Sequence, residues 1–357
     1  MPDYPVSRRA FVAGAASLPV TAAPSLQSVS ATRSGPVRIV TMYPFEAQEA
    51  ARIRAAASNA QIDLILCKDR DEFRKNLPEA EVVYGALGGA DLDYAPKVKW
   101  VQAGGAGVEN MDKRFRESPI VLTNFARTFA PGISETGMGL LLCLTRGISK
   151  YYMPQFYKRQ MEPVGTPKSD HHTELKGRTM GVVGMGGIGS AIARRAYYGF
   201  DMRIVGTDAK PMPAPEYVAE LRDPGWFEAM VPQVDVLVAA APHSPETERM
   251  FNEKIFRSMK KTAYFLGLSR GMLFDDMALV RALKEGWIAG AGLDVFPVEP
   301  PPSSHPIYDC PNVVMTAHTS GWSPDRQVRL IDLFAENVRR YASGLPLINV
   351  VDKQKGY

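Results

Sequence analysis

From Val37 onward, short unbroken apolar runs alternate with longer stretches in which apolar positions recur every three or four residues. In the second half the runs cover residues 180–183, 203–207, 234–239, 262–266, 289–295 and 312–316. Between two of them, residues 276–283 carry apolar side chains at i, i+3 and i+4 and stop before Gly286, which predicts an amphipathic helix with a glycine stop. The first half repeats the arrangement, with strand-like runs at residues 37–41, 62–66, 81–84 and 98–102 and a helix-like stretch at 46–57. Such alternation predicts α/β architecture, with parallel strands joined by crossover helices and ligands bound outside the carboxyl ends of the strands. The polar residues at those ends are therefore the ones to weigh.

The first run of the second half leads into Gly184-Met185-Gly186-Gly187-Ile188-Gly189, a G-x-G-x-x-G turn followed by the helical pattern of Ser190-Ala191-Ile192-Ala193. Gly184 supplies the turn and Gly186 lets backbone N–H groups approach a pyrophosphate at a helix N-terminus. Gly189 lets helix and strand pack closely, and Gly187 and Ile188 lie within the same nucleotide cradle. A glycine-rich turn after any buried strand can match this pattern. Its weight comes from Asp208, which ends the next run roughly twenty residues on, where an acid accepts hydrogen bonds from a ribose 2′-OH and repels a 2′-phosphate. That favours NAD over NADP, although Asp208 also suits a plain strand-end turn and Lys210 weakens the exclusion of phosphate.

Three polar residues follow later runs: Arg270 in Ser269-Arg270-Gly271, Glu299 in Val298-Glu299-Pro300, and His318 in Ala317-His318-Thr319. Reducing a 2-keto acid requires a planar cation to hold its carboxylate and polarise its carbonyl, and a proton donor for the developing alkoxide. Arg270 and His318 suit those tasks, and a carboxylate such as Glu299 beside an imidazole favours and orients the imidazolium. Each also has an ordinary reading: a capping arginine, a solvated glutamate in a proline-rich loop, a hydrogen-bonded core histidine.

Taken in this order on this scaffold, these residues resemble the D-2-hydroxyacid dehydrogenase family, which includes glyoxylate/hydroxypyruvate reductases. The likeness extends to Pro242-His243-Ser244-Pro245-Glu246-Thr247, to Gly290-Ala291-Gly292-Leu293-Asp294-Val295-Phe296 and to Pro311-Asn312-Val313-Val314, and covers nearly everything after Val37. The resemblance implies an NAD-binding Rossmann domain at residues 142–322 and a discontinuous, flavodoxin-like substrate domain at 36–141 and 323–357. It further implies that Arg270 binds the substrate's carboxylate and carbonyl, that His318 is the acid/base and Glu299 its partner. Asp294 would hold the nicotinamide carboxamide, and Pro242, Ser269, Arg270 and His318 would line the cofactor. The glycine-rich turns at 85–89 and 103–107 suit either carboxylate binding or chain reversal. In the family such loops line the substrate cleft, which makes Leu87, Gly88 and Gly105 candidates. The chain departs from the usual pattern at Gly267, where the family carries Asn, and at Ala317, where it carries Pro; both bear on fine positioning. Corepressors that share the fold keep the same three residues, so a nucleotide sensor is a competing expectation. Formate dehydrogenases have Gln where this chain has Glu299. The family habit also implies a homodimer through the cofactor domain and the long helix around Met138-Gly139-Leu140-Leu141-Leu142.

Length and charge change this picture little. A chain of 357 residues suits two domains, and a net charge of +4 with dispersed Lys and Arg points away from nucleic acid. Five histidines and three cysteines show no metal spacing or disulfide framework: Cys67 and Cys143 fall in apolar runs that predict core, Cys310 in a loop, His171 and His172 before a polar turn, and His305 among prolines. No apolar stretch is long enough to span a membrane. The leader, residues 1–35, stands apart. Its Ser7-Arg8-Arg9-Ala10-Phe11 and Ala-rich continuation resemble a twin-arginine export signal, against a chance arginine pair or an organelle transit peptide. Export of an NAD enzyme to a periplasm implies tightly held cofactor; cytoplasmic turnover is the competing expectation.

Overall fold

All the strand ladders are parallel, and they form two sheets. The computed structural model describes residues 35–165 and 172–356; residues 1–34 of the leader and His171 lie outside the described residues. The first sheet contains β1 (Val37–Thr41), β2 (Ile62–Leu66), β3 (Val82–Tyr84), β4 (Trp100–Gln102) and β5 (Val121–Thr123) in the order β2-β1-β3-β4-β5. This is the flavodoxin-like order. The strand period of two explains its two cores. Val37, Ile39, Val82, Tyr84 and Trp100 face one layer, while Val40, Val83 and Val101 face the other. On the first face lie α1 (Ala47–Arg54) and the C-terminal helix, described below. On the second lie α2 (Arg70–Asn76) and α3 (Lys113–Glu117), through Phe73 and Phe115.

The second sheet runs β12-β11-β10-β9-β6-β7-β8. Its strands are β6 (Thr179–Val183), β7 (Arg203–Thr207), β8 (Glu220–Arg222), β9 (Val236–Ala239), β10 (Tyr264–Gly267), β11 (Gly290–Leu293) and β12 (Val313–Met315). The chain enters it through α4 (Ala130–Thr145) and α5 (Met153–Tyr157). Helices α6 (Gly187–Phe200), α7 (Phe227–Met230), α8 (Glu253–Ser258) and α9 (Asp276–Lys284) follow. It is the doubly wound order 3-2-1-4-5-6 with one strand added. One face packs Phe265, Leu237 and Ala291 on Leu279 and Leu283 of α9; the other packs Leu266 and Val182 on Ile192 of α6 and Leu141 of α4. Burial on both faces is why these strands read as unbroken apolar runs.

The final helix, α10 (Pro324–Ala342), starts on Ser323, whose hydroxyl accepts the Arg326 N–H at 3.1 Å, with Pro324 in the first turn. It lays Leu330, Ile331, Phe334 and Val338 on the first sheet, and Val350 bridges back to Thr123. The first unit is thus built from two separate stretches of the chain. A division at 141/142 cuts through α4, however, whose Met138, Leu140 and Leu141 belong to the core of the second sheet. Gly137 permits this packing, since a Cβ there would meet Leu268 Cδ1 at 2.6 Å.

Several local expectations differ from the structure. Strands β5 and β8 are not among the runs expected from sequence; both lie on sheet edges, and β8 is the largely polar Glu-Leu-Arg. Cys310 is a loop residue but buried, and Cys143, expected in the core, is only partly buried because it lies on the outer side of α4. Among the described residues no helix is long and apolar enough to cross a membrane and no cluster of metal-ligating side chains occurs.

Candidate active site

The glycine turn is shaped from both sides. Gly184 has φ of 91°, and a Cβ there would meet the Ala241 backbone at 2.6 Å, so the turn lies against the loop that follows β9. A Cβ on Gly189 would meet the Gly184 carbonyl oxygen at 2.0 Å; helix α6 can approach β6 only with glycine at this point. A Cβ on Gly187 would meet the Arg127 backbone at 2.8 Å, whereas one on Gly186, which caps α6, would meet nothing within 4 Å. The open flank therefore lies at the N-terminus of a fourteen-residue helix, where a phosphate is favoured. Ile188 lies in the first turn of α6, partly buried against the same core. Asp208, just past β7, accepts the Met185 N–H at 2.7 Å and the Lys210 N–H at 2.8 Å. It stands at the mouth of the turn and also braces it. Across the turn, Pro242 follows β9 and its carbonyl accepts the Thr247 hydroxyl at 2.8 Å. These residues fit a dinucleotide.

The other candidates lie at the carboxyl ends of the neighbouring strands β10, β11 and β12. His318 Nδ1 is 2.7 Å from Glu299 Oε2, and Glu299 Oε1 accepts the Phe296 N–H at 2.9 Å, so the carboxylate is fixed to its own loop while it holds the ring. His318 has φ of 54°, and its N–H donates to the Asp294 carbonyl at 2.8 Å. Asp294, 1% exposed, spends its carboxylate on the same loop: Oδ1 accepts from Thr316 Oγ1 at 2.6 Å, Thr319 N at 3.2 Å and Ser320 N at 3.3 Å, and Oδ2 accepts from the Ser320 hydroxyl. On β10's side, Ser269 Oγ donates to the Ala239 carbonyl at 3.3 Å, tying β10 to β9. Arg270 Nη1 donates to the Ser269 carbonyl at 2.7 Å. Gly271 is required next to it, because a Cβ would overlap the Phe296 carbonyl at the foot of the Glu299 loop.

A residue not anticipated from sequence completes the cluster. Arg270 Nε donates to Glu109 Oε1 at 2.5 Å, joining the loop after β4 of the first sheet to the loop after β10 of the second. Burial works against ionisation of Glu109, but the hydrogen bond and charge of Arg270, with the nearby His243, outweigh it and hold the carboxyl below its ordinary range. Only the glycines before it marked this loop; nothing in its own neighbourhood separated Glu109 from other acids. Of the loop candidates, Gly105 has an open flank. The Leu87 side chain is buried in the core, which leaves only its backbone for a ligand, and the Gly88 N–H donates to Asp91, a buried carboxylate held by Arg70 and Arg74.

This arrangement matches known proteins. The NAD binding domain of D-isomer specific 2-hydroxyacid dehydrogenases matches residues 138–320. A glyoxylate reductase of Korarchaeum cryptofilum is 34% identical over 273 residues, covering 74% of this chain and 79% of that one. Another, of Thermofilum pendens, is 32% identical over 275 residues, covering 75% and 80%. The chain belongs to the D-isomer specific 2-hydroxyacid dehydrogenase family. As a member it is an NAD(P)-dependent oxidoreductase that acts on CH–OH groups, with 2-keto and 2-hydroxy acids as its substrate class. Among solved members, the NADPH-dependent glyoxylate/hydroxypyruvate reductase of Sinorhizobium meliloti, in complex with NADP and sulfate, superposes with a TM-score of 0.73 at 27% identity. That match covers 90% of this chain and 100% of that one. The departure at Gly267 has a physical reason. A Cβ there would crowd Leu293 at 3.1 Å and Phe274 at 3.3 Å, so apolar side chains fill the space a larger residue would need.

Proposed function

We propose that the protein reduces a small 2-keto acid, glyoxylate or hydroxypyruvate, to the D-2-hydroxy acid, with NADH preferred to NADPH. The observation that carries the reading is the 2.7 Å pairing of His318 with Glu299 on the strand ends beside Arg270. Bound NAD(P)H supplies the hydride for the carbonyl carbon. Arg270 holds the substrate carboxylate with the donors left on its Nη atoms and draws electron density from the carbonyl oxygen. His318, its Nδ1 engaged by Glu299, presents Nε2 and gives its proton to the alkoxide oxygen as it forms. Glu299 keeps the ring in that orientation. The glyoxylate reductases among the relatives support the choice of small keto acid. Asp208 at the mouth of the glycine turn supports NADH, because a 2′-phosphate would meet its carboxylate.

Assaying NADH and NADPH oxidation with a panel of 2-keto acids, with chiral analysis of the product, tests this directly. His318→Ala is expected to lower kcat by about 10²–10⁴ with NADH affinity unchanged, the loss typical of a missing general acid. Near-native turnover in that variant rejects the assignment. We also propose that the protein is a homodimer.

A further inference from the structure

We propose that Glu109 sets the charge selectivity of the substrate cleft, so that it takes 2-keto acids with one carboxylate and turns away dicarboxylates. This rests on the 2-keto acid reading above. Glu109 lies on the wall of the cleft and not in a core: its side chain is 33% exposed and that of Arg270 29%, and the two belong to different sheets. The loop is shaped for the contact, since a Cβ on Gly107 would overlap Arg270 Nη2 and Glu109 Oε2. Of the five guanidinium donors, Nε serves Glu109 and one Nη1 hydrogen serves the Ser269 carbonyl, which leaves the Nη2 pair and the second Nη1 hydrogen for a ligand. Those three donors suffice for a single carboxylate. The positive charge behind them is already matched by Glu109, whose carboxyl is held ionised by Arg270 and His243 against the effect of burial.

Charge balance then discriminates. With Arg270 paired to Glu109 and His318 to Glu299, a monocarboxylate brings one negative charge that meets the remaining Arg270 donors. A second carboxylate adds a further negative charge to a site that already holds Glu109, where water is partly excluded and like charges repel strongly. His243 offers the ligand no donor from Nε2, which is buried 4.0 Å from Glu248. A neutral, hydrogen-bond-donating substituent on the keto acid is accepted by the same carboxylate.

Oxamate and oxalate are nearly the same shape and differ by one charge, which makes them suitable probes. Their dissociation constants are measured by calorimetry on the NADH-loaded native protein and on Glu109→Gln and Glu109→Ala. The expected result is that the ratio of oxalate to oxamate dissociation constants falls at least tenfold in both variants. A purely structural role for Glu109 would weaken both probes alike, and a ratio within twofold of the native value overturns the proposal, as does failure of the native protein to bind either probe. The binding measurement is independent of turnover. A native protein that shows the expected ratios yet reduces no 2-keto acid supports charge selection by Glu109 and rejects the activity proposed above.

Discussion

His318 occupies a left-handed backbone conformation with φ of 54°, costly for a residue with a Cβ, and it persists because its surroundings over-determine it. The main restraint is Asp294, which accepts from three groups on Oδ1 and one on Oδ2, all on the loop that carries His318. The family resemblance gives Asp294 to the nicotinamide; the geometry gives its carboxylate to the loop. Asp294→Ala would strand the Ser320 and Thr319 N–H groups at a nearly dry position, a cost on the order of 1–3 kcal/mol for each unsatisfied donor. The variant is therefore expected to lose stability in urea unfolding and to lose kcat, because the imidazole is no longer held in place. His318→Ala, at a side chain 44% exposed, should leave stability nearly unchanged. Equal stability of Asp294→Ala and the native protein would remove Asp294 from this role. The contrast also marks what could be read in advance. Arg270, Glu299 and His318 were legible because each is a reactive side chain next to a strand end, whereas a buried carboxylate bracing a loop, or a glutamate meeting an arginine 161 residues away, leaves no local pattern.

At the scale of elements, the turn between β6 and α6 separates two uses of glycine that look identical in sequence. Gly189 is closed in by the Gly184 carbonyl at 2.0 Å, and Gly186 faces open space. Gly189→Ala is expected to push α6 off β6 and lower the melting temperature. Gly186→Ala should leave the melting temperature of the unliganded protein within about a degree, since alanine meets no atom there, while cofactor affinity falls because the methyl group fills the approach to the pyrophosphate. Differential scanning with and without NADH reads both effects, and a Gly186→Ala protein with native NADH affinity would place the phosphates elsewhere. The long apolar strands and α9 were legible from their periodicity, helped at α9 by Asp275 accepting the Ala278 N–H at 2.8 Å and by Gly286 at φ of 69°. The edge strands β5 and β8 were not, because each is short and held by a single ladder neighbour rather than by a pattern of its own. The start of α10 leaves no apolar signal for a different reason. Its first turn is polar, so the apolar stripe begins only at Leu330, well after the Ser323 cap.

For the whole molecule, two features on the second unit remain outside the site. Helices α4 and α6 form an open groove lined by Met138, Gly139, Leu142, Tyr198 and Phe200, rimmed by Glu135 and the arginines Arg194 and Arg195. Just beyond α4, the segment carrying α5 exposes Phe156 at 60%, Tyr157 at 76% and Met161 at 66%. Single exposed apolar residues are ordinary, but large side chains concentrated in one short segment, next to a groove with a charged rim, are what an isologous contact between two copies uses. Dimerisation would bury these aromatics without touching the substrate cleft, because Arg270, Glu299 and His318 lie on the strand ends and the groove lies on the outer face of α4 and α6. Light scattering at micromolar concentration is expected to give twice the chain mass. Replacing Phe156 and Tyr157 together by aspartate should shift the protein to monomer while NADH binding persists, since neither residue belongs to the nucleotide cradle. A native monomer at that concentration, or a double variant that remains dimeric, would show that this surface does not hold two copies together.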